Sequence, residues 1–192
     1  MSIATYIVLS LAFGITSMLL TRRCAETTPI KLTKSIAIVF FMASIHALLF
    51  IIGIALGDLL RIEGTNAPQL YAHTNAYIFL GLTLFVALRM LLPYLKRNPQ
   101  LPVFDLRNWA SVTAMSVASG INVLLVGLGL GFAMPLAGHI HWAIWPLIIS
   151  TLLLGYTGIM FGRQKVTMRP RRWMIVACIL LLGCGIAAVV SS

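Results

Sequence analysis

Ala118-Ser119-Gly120-Ile121-Asn122, running on into Val126-Gly127-Leu128-Gly129-Leu130-Gly131, stands mid-way through the fourth of six long apolar runs. Asn122 lies near the centre of a segment that must sit in lipid, with Ser116, Ser119 and closely spaced glycines about it. A polar side chain at that depth is costly unless it faces protein or a water-filled cavity. Glycines let neighbouring helix backbones approach closely. The stretch therefore reads in two ways: as the wall of a transport path, or as a packing helix whose Asn bonds a neighbour.

Outward from it, the apolar runs are Ile3 to Leu20, Ser35 to Leu60, Tyr71 to Leu92, Trp109 to Ala133, Trp142 to Phe161 and Trp173 to Val190. A hydrocarbon core of about 30 Å needs about 20 apolar residues of helix, and each run meets that. The 192 residues are 60% hydrophobic and 9% charged, with a mean hydropathy of +0.99. This is the composition of an integral membrane protein. The expected fold is all-α, a polytopic membrane protein of six transmembrane helices forming one membrane domain over 1–192. The first run lacks a basic leader and reads as a retained helix rather than a cleaved signal.

The net charge of +10 would suit nucleic acid, but its distribution excludes that partner. Four Lys or Arg follow run one (Arg22, Arg23, Lys31, Lys34), three follow run three (Lys96, Arg97, Arg107), and five follow run five (Arg163, Lys165, Arg169, Arg171, Arg172). The alternate loops hold only Arg61. The positive-inside rule then places the three basic loops in the cytosol and both termini outside. Trp109, Trp142, Trp145 and Trp173 fall near run ends, as interface anchors do. The basic set Arg163 to Arg172 suits anionic headgroups, although topology alone accounts for it.

Catalysis finds no support. The four acidic residues are Glu26, Asp58, Glu63 and Asp105, all in loops or at interfaces, and no phosphate loop, CxxC pair or HExxH helix is present. The expectation is a non-enzyme with no resident cofactor. Cys24, Cys178 and Cys184 are an odd number, and the last two are six apart on a helix, pointing to different faces. Neither a disulfide framework nor a metal pair is implied.

Three spans per half reverse the entry side of the second half, the arithmetic of an inverted repeat. The expected halves are 1–95 and 107–192, two inverted three-helix repeats joined by a cytosolic linker 96–106. Runs two and five share a small-xxx-small pattern at Gly53/Gly57 and Gly158/Gly162. With Gly127 and Gly131 these are the expected helix-packing positions. Runs one and four share Gly14-Ile15-Thr16 and Gly120-Ile121-Asn122.

Across nearly the whole chain a further set of stretches falls in a recognisable order. They are Leu11-Ala12-Phe13-Gly14, Ala47-Leu48 through Ile52-Gly53 to Gly57, and Arg89-Met90. Ala118 to Asn122, Val126-Gly127-Leu128-Gly129, Gly158 to Arg163 and Leu180 to Gly185 follow. In these the chain resembles the MntP-type manganese exporters, six-helix proteins of the bacterial inner membrane related to the LysE transporter superfamily. The resemblance implies a multi-pass inner-membrane transporter whose cargo is a divalent cation, Mn²⁺. The departures matter equally. In the family's register an Asp of run one is replaced by Met18, an Asp of run four by Asn122, an acidic or amide position of run two by His46, and an acid of run six by Met174. In that register the Gly-Ile-Thr triplet stands two residues out and does not align the halves.

Mn²⁺ prefers carboxylate, carbonyl and water oxygens. Asn122 offers a neutral carbonyl, His46 an imidazole, and Met18 a thioether better suited to soft Cu(I). The expected translocation site gathers Met18, His46 and Asn122 near the midplane, with Thr16, Ser17 and Ser119 adding hydroxyls. His46 and Asn122 are the metal-facing pair. Each has an ordinary reading beside this one: His46 is either a proton relay or a neutral imidazole bonded to a neighbouring helix, and helical hydroxyls bond their own backbone. His139-x-His141 share a face only in extended backbone, and so read as a solvated interfacial pair or a peripheral metal contact. Two functions follow. One is a divalent-cation exporter, with the bilayer and a metal ion as partners. The other is a transport-inactive relative kept as a structural or assembly subunit, in a homo-oligomer or membrane complex. Export of a neutral or zwitterionic solute is a third.

Overall fold

The computed structural model describes residues 3–28, 30–61, 68–95, 103–133 and 140–191, with no side-chain description for 68–70 and 140–142. Most of the expected linker 96–106, Glu63, His139 and Ser192 lie outside the described residues, as does the His141 side chain. Six helices run as α1 (Ile3–Thr27), α2 (Leu32–Leu59), α3 (Pro68–Leu95), α4 (Trp109–Ala133), α5 (Ile140–Arg163) and α6 (Pro170–Val190). Each is long and apolar enough to cross a bilayer. The shortest has 21 residues, about 30 Å of helix at 1.5 Å per residue. Among the described residues there is no strand.

Lipid on the outside changes which residues are buried. Large apolar side chains such as Phe40, Leu48, Leu153 and Ile179 face outward, whereas Ser17, Thr21, Ser35, Thr83, Ser116, Ser150 and Thr151 are buried between helices. Small side chains allow close packing where no hydrophobic force draws helices together. Most of the hydroxyls bond the carbonyl three or four residues back, as Ser116 does to Val112 at 2.8 Å. Two reach across. Ser150 Oγ donates to the Ser10 carbonyl at 2.8 Å, and Thr21 Oγ1 lies 2.9 Å from the Gly155 carbonyl.

Two intimate seams organise the bundle, α1 on α5 and α2 on α4. In both the helices run parallel, since residue numbers rise together along the seam. Helix α3 packs on α4 and α6, α6 on α1, and α2 on α5. This set of pairs is unchanged when α1, α2 and α3 are exchanged for α4, α5 and α6. The detail repeats as well. Gly158 is pressed on the Met18 carbonyl as Gly53 is on that of Leu124. Gly162 meets Arg22 and Ala25 as Gly57 meets Leu128 and Gly131. Gly14 on α1 corresponds to Gly120 on α4, facing Leu154 and Leu49 respectively. The seams thus follow the Gly-Ile-Thr/Asn triplet, so Thr16, not Met18, is the counterpart of Asn122. The register that paired Met18 with Asn122 does not describe the packing.

One further correction concerns α1. The apolar run ends at Leu20, but the helix continues through Arg22 and Arg23 to Thr27. Arg22 is held there by Glu26 one turn on, at 2.6 Å, and by the Val166 carbonyl at 2.9 Å. The three basic segments gather at one end of the bundle. Lys34 Nζ donates to the Arg107 carbonyl at 2.7 Å and stands 5.8 Å over the Trp109 ring. Beneath them a second apolar cluster joins Cys24, Ile30, Met42, Leu106, Met115 and Ile159. Cys178 and Cys184 do point apart, toward Ala87 on α3 and Thr5 on α1.

Candidate functional site

Helices α1 and α4, counterparts in the two halves, are not among the closely packed pairs. A cavity of about 180 Å³ lies between them, room for several waters. One face of α1 supplies Thr16, Leu19, Leu20 and Arg23, the i, i+3, i+4, i+7 set of a helix. One face of α4 supplies Ala118, Ser119 and Asn122. Tyr94, from the end of α3, and Phe104, from the segment before α4, close the third side.

The quoted stretch thus divides by direction. Ala118, Ser119 and Asn122 face the cavity. Gly120 faces α2, where a Cβ would come 3.4 Å from the His46 ring and closer still to Leu49. Ile121 faces outward. Gly120 is needed because the α2 side chains occupy the space its own would take.

The polar groups lining the cavity are the Thr16 and Ser119 hydroxyls, the Asn122 amide, the Tyr94 phenol and the Arg23 guanidinium. Thr16 Oγ1 donates to the Phe13 carbonyl at 2.8 Å, which leaves its lone pairs free. Ser119 Oγ lies 3.0 Å from the Met115 carbonyl and 3.1 Å from that of Ser116. Asn122 Oδ1 is buried and has no hydrogen-bond partner. His46 stands behind this wall. It is 1% exposed, and its Nε2 is 2.8 Å from Ser119 Oγ. Whichever tautomer is present, Nδ1 is buried without a partner. His46 therefore touches the cavity only through Ser119, as a positioning residue.

The structure brings Thr16, Ser119 and Asn122 together and attaches His46 to them. It separates Met18 and Ser17. Met18 is 4% exposed within the main apolar cluster, and Ser17 is buried with an unpartnered hydroxyl. The reason is helical phase: residues one and two positions beyond Thr16 are turned about 100° and 200° from it. Met174 lies in the same apolar cluster. Among the described residues no three His, Cys, Asp or Glu side chains come together, so the cavity is no preformed cage of ionisable ligands. Sequence reading missed Arg23 and Tyr94. The spacing of Arg23 seven residues after Thr16 carried the signal, but the end of the apolar run masked it.

The Ser119 contact makes a measurable prediction. Ser119→Ala leaves both His46 ring nitrogens unpartnered in a buried site, a cost of about 1–3 kcal/mol. Thr113→Ala removes an exposed hydroxyl that bonds only its own helix and serves as the control. Thermal unfolding in lipid nanodiscs should show a clear loss for Ser119→Ala and little for Thr113→Ala. Equal midpoints would mean that the His46–Ser119 contact contributes nothing.

A family model described as Mntp, putative manganese efflux pump, matches residues 29–189. The matched segment contains α2 to α5 entire and α6 up to its last residue, and begins after α1, so the Thr16 and Arg23 wall lies outside it. No curated protein and no solved structure matches the chain.

Proposed function

The chain belongs to the Mntp family of putative manganese efflux pumps, and on that premise we propose that it carries Mn²⁺ out of the cytosol through the cavity between α1 and α4. The observation that carries this reading is that Thr16 and Asn122, counterparts in the two halves, line one mid-helix cavity together with Ser119. Mn²⁺ is a hard ion satisfied by carbonyl, hydroxyl and water oxygens. Thr16 and Ser119 offer two hydroxyl oxygens, and water fills the remaining positions. Neutral ligands bind a dication weakly, and a carrier that must release its cargo needs binding weak enough to leave. His46 orients Ser119 through its Nε2. The halves 1–95 and 107–192 rock about the α1–α5 and α2–α4 seams. Nothing in this geometry favours the assembly-subunit reading over transport.

The test is reconstitution. Purified protein in liposomes loaded with a manganese-quenched dye should pass Mn²⁺ faster than liposomes without protein, and Asn122→Ala should lose that flux. Flux no faster than empty liposomes would overturn the reading.

Orientation is proposed from the gathering of the basic segments at one end, with that end in the cytosol of a bacterial inner membrane. In a cysteine-free background, a membrane-impermeant thiol reagent added to intact cells should label a cysteine at Ser191 and miss one at Arg169. The reverse pattern would invert the model.

A further inference from the structure

The cavity is electrically lopsided. Its middle presents the hydroxyls of Thr16 and Ser119 and the amide of Asn122, and among the described residues the only charged group lining it is the half-buried Arg23. Two helical turns separate Thr16 from Arg23, about 10 Å along α1. Arg22 takes the nearby carboxylate of Glu26, and Arg23 has no ion pair or hydrogen bond among the described residues. A partly desolvated guanidinium without a counter-charge is costly, and its planar fork matches a bidentate oxyanion. Tyr94 lines the same end and brings a phenolic hydroxyl, a second donor for the same ligand. Leu19, Leu20 and Phe104 form the apolar part of the wall, which lowers the local dielectric and strengthens the attraction. Among the described residues no carboxylate lines the cavity to compete.

We propose that the Arg23–Tyr94 end of this cavity is an oxyanion site, taking a small phosphate- or carboxylate-type anion beside the neutral polar groups of Thr16, Ser119 and Asn122. The site goes beyond metal export and does not rest on it, because it follows from the charge of the lining alone. If a dication does occupy the middle, the anion supplies the negative charge that the protein does not. Two sources share the chemistry, a free anion and the phosphodiester of a lipid headgroup.

The probe is inorganic phosphate, without metal, on the full chain in phosphatidylcholine nanodiscs. Equilibrium dialysis with labelled phosphate should show saturable binding. Arg23→Gln should abolish it, and Arg163→Gln, on an exposed basic residue away from the cavity, should preserve it. Tyr94→Phe keeps the ring, and should weaken binding about 10- to 150-fold, the loss of one hydrogen bond to a charged group. It therefore tests the site even if Arg23→Gln lowers folded yield. In discs containing phosphatidylglycerol, phosphate binding that falls identifies the headgroup as the occupant, and binding that persists identifies a free anion; both outcomes support the site. No saturable binding in phosphatidylcholine discs, or binding that Arg23→Gln and Tyr94→Phe leave unchanged, would overturn it.

Discussion

Gly53→Leu and Gly158→Leu should each remove nearly all folded protein from the membrane, while Gly81→Leu and Gly183→Leu leave the yield unchanged. All four replace a helical glycine in a spanning segment, so hydrophobicity and helix propensity change alike. Only the surroundings differ. A Cβ at Gly53 would run into the Leu124 carbonyl, and one at Gly158 into that of Met18. Nothing lies within 4 Å of a Cβ at Gly81 or Gly183. Backbone cannot yield as a flexible side chain can, so the seam helices must separate along their whole contact. Overpacking of a soluble core costs about 1–3 kcal/mol. In lipid the seam is held by van der Waals contact, so losing it costs more, about 3 kcal/mol or above. That is a large share of a total stability of about 5–15 kcal/mol. Size-exclusion yield of detergent-extracted protein reads the result. Gly127→Leu should follow the seam group, since its Cβ would lie 2.7 Å from the Phe50 carbonyl. Equal yields across the set would mean that the seams do not hold the bundle together.

The second large effect concerns the cavity. Asn122→Ala should lower Mn²⁺ flux at least tenfold without lowering folded yield, because it deletes the amide that lines the cavity beside Thr16 and Ser119. Asn122→Asp should act in the opposite direction on binding. A carboxylate in a partly desolvated site attracts a dication far more than an amide does, and a tenfold gain in apparent affinity corresponds to about 1.4 kcal/mol. Thr16→Asp should resemble Asn122→Asp, because both positions line the same cavity. Met18→Asp should instead fail to fold, since Met18 sits among apolar side chains where a carboxylate has no partner. This quartet separates a site fault from a folding fault. If Thr16→Asp is inert and Met18→Asp strengthens transport, the path runs along the other face of α1.

Membership and fold were both legible before any coordinates. Lipid imposes a length and a composition on every span, and Lys and Arg distribution imposes a topology, so six helices could be counted directly from the residues. The family resemblance was legible in stretches from α2 onward that the family model matches, whereas its run-one stretch, Leu11 to Gly14, lies outside the matched segment. Helix ends were harder. Hydropathy stops at Leu20, but α1 continues to Thr27, because the Arg22–Glu26 pair and the Val166 carbonyl stabilise charged turns beyond the apolar run.

What the sequence by itself determined is the class of the protein: an all-helical bundle of six spans, with a polar, glycine-rich fourth helix where chemistry was to be sought. The composition of the cavity was decided only by tertiary structure. Met18, Ser17 and Thr16 are adjacent in sequence and equally plausible there, yet only Thr16 turns toward Asn122. Glycine contacts with the carbonyls of partner helices choose that phase, and no periodicity in a chain greasy on every face encodes it. The same rotation brings Arg23 into the cavity two turns from Thr16, because a helix carries i and i+7 to one face while its partner helix decides which way that face looks.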